Sequence, residues 1–172
     1  MKEQEQEVAV KPEVVSREAQ PYVSITSSVA MGRLGEQLAP LHDEIFGWLA
    51  ASGTEPAGLP FWKYNKIDME GELEVEVGVP TAVQISGDDR IQGHLLPAGN
   101  YVMAQHVGHP DKLVDATGEL LDWARANDLG WDMSESSDGE RWAARVEEYL
   151  TDPISQPDMD KWQTNLFFKL AD

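Results

Sequence analysis

The chain has no cysteine in 172 residues. That removes disulfide frameworks and thiol chemistry, and it fits a reducing cytoplasm. Basic residues are scarce: 13 Lys and Arg stand against 31 Asp and Glu, a formal net charge of −18. Non-specific affinity for nucleic acid comes from cations that displace counterions from phosphates, so direct nucleic-acid binding is not expected. No apolar run approaches the roughly 20 residues that a membrane span needs, and MKEQEQEVAV lacks the apolar centre of a secretory signal. No glycine-rich phosphate loop and no Gly-x-Ser-x-Gly elbow occurs, which leaves nucleotide hydrolysis and serine esterase chemistry without support. His42, His94, His106 and His109 show no ligand spacing, so neither a metal nor another cofactor is expected.

What is present suffices for one well-cored domain. Apolar residues make up 41% of the chain, with six Trp, four Tyr and four Phe. Residues 1–12 are polar and aperiodic and read as a loose tail, and 13–170 as a single domain. Glu13 to Ala30 reads as a strand interrupted at Gln20-Pro21, where the proline suggests an edge or a bulge. From Met31 to Ala51 the residues Met31, Leu34, Leu38, Leu41, Ile45, Trp48 and Leu49 recur at helical spacing. Pro40 is expected to kink this helix or split off an entry turn, and Ser52-Gly53 with Pro56 to stop it.

Leu59 to Asp68 reads as a strand with Trp62 and Tyr64 on one face, turning at Met69-Glu70-Gly71. Glu72 to Pro80 then alternates strictly, Leu73, Val75, Val77 and Val79 against a Glu row that reads as a solvated face. Ile91 to Leu96 and Asn100 to Val107 are extended. A second helix, about Asp111 to Asn127, carries Leu113, Val114, Thr117, Leu120, Leu121 and Ala124. Asp132 to Glu140 reads as a polar loop and Trp162 to Leu170 as the last strand. Trp48 and Trp123 hold matching helix positions and read as packing residues.

The order β-α-β-β occurs twice, over about 13–80 and 91–170. This predicts an α+β fold of two modules about a pseudo-twofold, sharing an antiparallel sheet with a central cleft. The segment the site depends on is Trp142 to Pro153, WAARVEEYLTDP. As one strand it puts Trp142, Ala144, Val146, Glu148 and Leu150 on one face, and Ala143, Arg145, Glu147 and Tyr149 on the other. A half-buried Glu beside a Tyr can attract a cation or transfer a proton. The plain alternative is a surface carboxylate paired with Arg145. Alternation from Trp142 favours Glu148 as the inward acid, so the choice between Glu147 and Glu148 stays open.

GELEVEVGVP at 71–80, LPAGNYVMAQHVGHPDKL at 96–113, LLDWA at 120–124, EEYLTDP at 147–153 and KWQTNLFFKL at 161–170 together resemble the GyrI-like effector-binding domain of AraC- and MerR-type multidrug regulators. The resemblance spans roughly Pro12 to Leu170 and is to stand-alone members. It implies paired β-α-β-β modules around an aromatic cleft in which a central acid receives lipophilic, often cationic ligands. The family's Glu-x-Tyr pattern falls on Glu147 and Tyr149. Trp62, Tyr64, Tyr101, Trp142 and Phe168 are then candidate aromatic walls, though each alone reads as core packing. Where many relatives carry an acid after the Thr of the last strand, this chain has Asn165.

Three functions follow as expectations. The first is binding of a lipophilic small molecule, for sensing or sequestration. The second is hydrolysis of cyclopropane-type electrophiles, with Glu147 and Tyr149 catalytic, because some stand-alone members resemble such hydrolases. The third is a protein partnership, as an acidic inhibitor of a DNA-handling enzyme such as gyrase, since an acidic surface can compete with DNA.

Overall fold

The alternation of Leu73, Val75, Val77 and Val79 becomes strand β4 (Glu72–Pro80), and all four side chains are buried. They pack beneath helix α1 (Leu34–Ala51), whose Leu38, Ile45 and Leu49 complete the same cluster. Burial of each such aliphatic side chain stabilises the fold by roughly 1.5–3 kcal/mol. The computed structural model describes residues 10–30, 33–68, 71–137, 139–151 and 155–171. The remaining strands are β1 (Val10–Arg17), β2 (Gln20–Ala30), β3 (Phe61–Ile67), β5 (Gln92–Leu96), β6 (Gly99–Val107), β7 (Met133–Ser136), β8 (Gly139–Trp142), β9 (Arg145–Tyr149) and β10 (Gln163–Lys169), with helix α2 (Leu113–Ala126) between β6 and β7.

The strands form one antiparallel sheet in the order β1-β6-β10-β9-β3-β4-β2-β5, with β8 pairing β3 and β7 off this path. The order is palindromic. From either edge inward come a flanking strand (β1 or β5), then the first, last and penultimate strands of one module. This is consistent with the duplicated β-α-β-β unit. Each flanking strand serves the other module: β1 precedes β2 but pairs β6, and β5 precedes β6 but pairs β2. The sheet curls into a half-barrel. Tyr22 of β2 and Tyr101 of β6, five strands apart, meet in one inner cluster with Phe61, Val146 and Phe167. Both helices cover the outer face, α1 over β2 and β4, α2 over β6. No helix among the described residues is long and apolar enough to cross a membrane.

Several local expectations need correction. The sheet begins at Val10, so residues 10–12 are strand rather than tail, while residues 1–9 lie outside the described residues. The break in the first extended segment falls at Glu18-Ala19. Pro21 is the second residue of an interior strand whose register does not shift. Helix α1 runs through Pro40 unsplit, and Met31 lies outside the described residues. Its end follows the expected chemistry. Gly53 adopts φ 73°, and the amides of Gly53 and Thr54 cap the carbonyls of Ala50 and Leu49. On α2, Leu120 and Ala124 are buried, but Val114 is 70% exposed and leaves the stripe. The polar loop at 132–140 contains the β7–β8 hairpin. The turns at Met69-Glu70 and Asp152-Pro153 lie outside the described residues.

The largest correction concerns the Glu row of β4. Glu72 is exposed and Glu74 half-buried, but Glu76 is 6% exposed on the inner face of the curl. Alternation fixes which face a side chain takes and is silent on whether the sheet folds over that face.

Candidate functional site

The run from Trp142 is two strands, not one, and the break decides which acid faces the helices. Between β8 and β9 the chain leaves the ladder at Ala143-Ala144. Ala144 and Val146 enter the inner cluster, whereas Trp142 packs with the outer cluster under α2. The bend shifts the phase by one residue, so Trp142 shares its face with Arg145, Glu147 and Tyr149. Glu148, which unbroken alternation from Trp142 favours, takes the other face and accepts a hydrogen bond from Asn165 Nδ2 at 3.0 Å. Glu147 is therefore the carboxylate on the helix-bearing face.

Strand β3 supplies its neighbours. Trp62 stands opposite Glu147 in the ladder, and Tyr64 is two residues further on the same face. The hydroxyls of Tyr149 (2.8 Å) and Tyr64 (3.1 Å) both donate to Glu147 Oε1. Burial pushes the Glu147 carboxyl above its usual range, and the two tyrosine hydrogen bonds and Arg145 only partly oppose this. Both tyrosines are held well above 10, by burial first and then by the charge of Glu147, so each remains a protonated donor. Glu147 Oε2 accepts no hydrogen bond among the described residues. No buried side-chain polar atom there lacks a partner, so Oε2 reaches accessible surface. One oxygen is pinned and the other is presented.

Helix α1 contributes a residue that sequence reasoning missed. His42 Nε2 accepts from the Trp62 indole N–H at 2.8 Å, and the His42 ring lies 6.3 Å from that of Tyr149. Indole is a donor only, so the imidazole is neutral at that nitrogen, in keeping with burial holding its pKa down to about 4. Trp62 meets Tyr149 edge-on at 5.3 Å. The sequence carried a weak signal for His42, a histidine on the helix that crosses the Trp62 strand, but no spacing rule selects it.

The other candidate walls fall elsewhere. Tyr101 lies in the inner cluster with its hydroxyl bound to the Pro97 carbonyl, so it does not join Glu147. Trp142 and Phe168 belong to the core under α2, their rings 5.7 Å apart. They touch the site through Arg145, whose guanidinium carbon sits 4.7 Å from each ring centroid. The structure thus joins Glu147, Tyr149, Trp62, Tyr64 and His42, with Arg145 alongside. Among the described residues no group of three His, Asp or Glu side chains could hold a metal ion. A polar hollow lined by Gln84, Ser86, Asp88 and Gln92 lies in the β4–β5 connection, beside the sheet edge furthest from β9 on that side, and has no aromatic wall.

Comparison with known proteins agrees with this architecture. The chain superposes on EcmrR in a complex with DNA at TM-score 0.74 and 18% identity, covering 99% of this chain and 61% of that one. Against the isolated EcmrR C-terminal domain the values are 0.70 and 16%, with 95% and 99% covered. A hydrolase from Listeria innocua matches at 0.62 and 15%, covering 99% and 98%. SAV2435 bound to tetraphenylphosphonium matches at 0.57 and 10%, covering 94% of each chain. At such identities the likeness is one of fold. No curated protein matches the sequence. Residues 10–171 match the GyrI-like small molecule binding domain, and the chain belongs to that family.

Proposed function

We propose that this small-molecule-binding domain takes a lipophilic ligand carrying a cationic or hydrogen-bond-donating centre, and that Glu147 Oε2 is the atom that receives it. The observation that carries the reading is the asymmetry of that carboxylate: Oε1 is fixed by two tyrosines while Oε2 is left accessible beside Trp62 and Tyr149. A carboxylate already removed from water has lost much of its solvation, so a cation beside it regains Coulomb energy without a second desolvation of the acid. The aromatic faces add cation–π attraction of roughly 0.5–2 kcal/mol. Sequestration or sensing of such compounds is the role this site serves. Tetraphenylphosphonium, the compound bound to SAV2435, is a suitable probe.

The test is a calorimetric or fluorescence titration of tetraphenylphosphonium into the protein and into Glu147→Gln. The variant keeps an Oε1 acceptor for both tyrosines but no charge, and affinity should fall on the order of ten-fold or more. Equal affinity of the two proteins rejects Glu147 as the anchor.

A second reading rests on the raised pKa of Glu147 and its accessible oxygen. Glu147 would take a proton from water as the water oxygen bonds to a strained ring carbon; the ring C–C bond breaks and its electron pair passes to an adjoining acceptor group, which is then protonated. Incubation with a cyclopropane-bearing electrophile, followed by mass spectrometry, separates the two. A ring-opened, hydrated product that disappears in Glu147→Gln supports hydrolysis, and an unchanged bound compound rejects it.

A further inference from the structure

Arg145 has no role in the binding reading above, yet it is placed as a ligand contact. It lies on the same face of β9 as Glu147, two residues away, which along a strand is about 7 Å. Its guanidinium lies against the edge-to-face pair of Trp142 and Phe168, 4.7 Å from each centroid, and its side chain is only 17% exposed. Its ion-pair partner Glu140 lies 4.0 Å from Nη1, too long for a hydrogen bond, and is itself 44% exposed, while the charge of Glu147 acts on Arg145 more strongly than that of Glu140. No N–H of Arg145 has a hydrogen-bond partner among the described residues, and none is counted among buried atoms without one, so the donors open onto accessible surface. Tyr64 feels the charges of both Glu147 and Arg145.

A guanidinium seated against two rings, with its hydrogen-bond donors unfilled, can receive a carboxylate, sulfonate or carbonyl. If Arg145 served only to cover Trp142 and Phe168, a methionine would do so without the cost of burying a charge. Beside Glu147 it also changes what the site prefers. A bare cation at Oε2 meets the repulsion of Arg145, whereas a ligand bearing both a cationic centre and an acceptor satisfies both. From this geometry, and resting on the Glu147 reading, we infer that Arg145 is a specificity determinant that makes the site selective for amphoteric ligands: a cationic or donating end on Glu147 and an anionic or carbonyl end on Arg145.

Two dyes with one ring system test this: rhodamine B, zwitterionic at neutral pH, and its ethyl ester, a pure cation. Fluorescence anisotropy gives the affinity of each for wild type, Arg145→Met, Arg145→Lys and Glu147→Gln. Wild type should bind the acid on the order of ten-fold more tightly than the ester, the worth of a charge-assisted pair. Arg145→Met should abolish that preference by weakening the acid while leaving the ester unchanged or tighter. Arg145→Lys keeps the charge without the planar fork and should retain part of the preference, which covers the case that the methionine variant folds poorly. Equal wild-type affinities for acid and ester, with the ester still sensitive to Glu147→Gln, overturn the inference and leave the Glu147 reading standing. A preference for the acid that survives in Arg145→Met also overturns it. Binding of neither dye, or affinities untouched by Glu147→Gln, overturns the Glu147 reading and this inference together.

Discussion

Glu76 is a buried and Glu147 a half-buried carboxylate on central strands of one sheet, and they differ in how the chain satisfies them. Glu76, on the inner face, has both oxygens occupied. Oε1 accepts from Tyr22 and Ser24 (2.7 and 2.8 Å), and Oε2 from Asn65 (2.8 Å) and Lys63 (3.3 Å). Burial works to raise its pKa, but the Lys63 ammonium and the hydrogen bonds outweigh it, and the net shift is downward. Glu147, on the outer face, has one oxygen occupied and a pKa that burial succeeds in raising. The fold completes the first acid; in the proposed reading a ligand completes the second.

The comparison breaks first on stability. Glu76→Ala strands Lys63 in a buried setting and deprives Tyr22 and Ser24 of their acceptor, so urea unfolding should show a loss of about 3–5 kcal/mol. A loss under about 1 kcal/mol would mean that the network is solvated and that the contrast with Glu147 is false. A smaller pair sharpens it. Tyr22→Phe removes a donor to an ionised acid and should cost about 1.5–3 kcal/mol, whereas Tyr149→Phe leaves Glu147 with Tyr64 and an accessible oxygen and should cost under about 1 kcal/mol. In ligand titrations the order reverses, Tyr149→Phe weakening binding and Tyr22→Phe not.

Glu147→Gln should leave stability at neutral pH equal to or above wild type, as removing a partly unpaired buried charge does, while binding is lost. Titration gives the same contrast with opposite signs. A folded pKa raised above the unfolded one, as for Glu147, contributes stability that is fully present below about 4.5 and is lost as pH rises through the raised value. A lowered one, as for Glu76, contributes stability present above about 4.5 and lost as pH falls through the lowered value. The stability advantage of Glu147→Gln over wild type should therefore widen as pH rises from the acid side, and the groups facing Glu147 (Tyr64, Tyr149, Arg145 and His42) do not reverse it. The smallest effect is that of His42. With its pKa depressed from 6.5 to about 4, its contribution is lost as pH falls through that window, so His42→Gln should flatten the acid limb of the wild-type profile. An acid limb unchanged in that variant would place His42 in contact with water.

Much of this was legible in the sequence. The stripe of α1, its Gly53 stop, the alternation of β4 and the doubled β-α-β-β order are local patterns, and local patterns survive folding. Glu147 stands out in the sequence only through the Glu-x-Tyr resemblance, because alternation counted from Trp142 points to Glu148. The miss has a physical cause in the bend at Ala143-Ala144, two small residues that let the chain change phase and that mark no break in a hydrophobicity pattern. Glu76 was illegible for a different reason. Its partners come from β2 and β3, so its burial depends on register and on the curl of the sheet, neither of which the Glu72-Glu74-Glu76 row encodes. Tyr101 lies apart from Glu147 for the same reason: the closing of the half-barrel places it in the inner cluster.

The most direct test is to follow the side-chain carboxyl carbons of Glu147 and Glu76 by NMR as a function of pH, with and without saturating tetraphenylphosphonium. Glu147 should titrate above the ordinary carboxylate range in the free protein and move down when the cation binds, while Glu76 should titrate below that range in both states. A Glu147 that titrates as an ordinary exposed carboxylate and is unmoved by the cation would contradict the account.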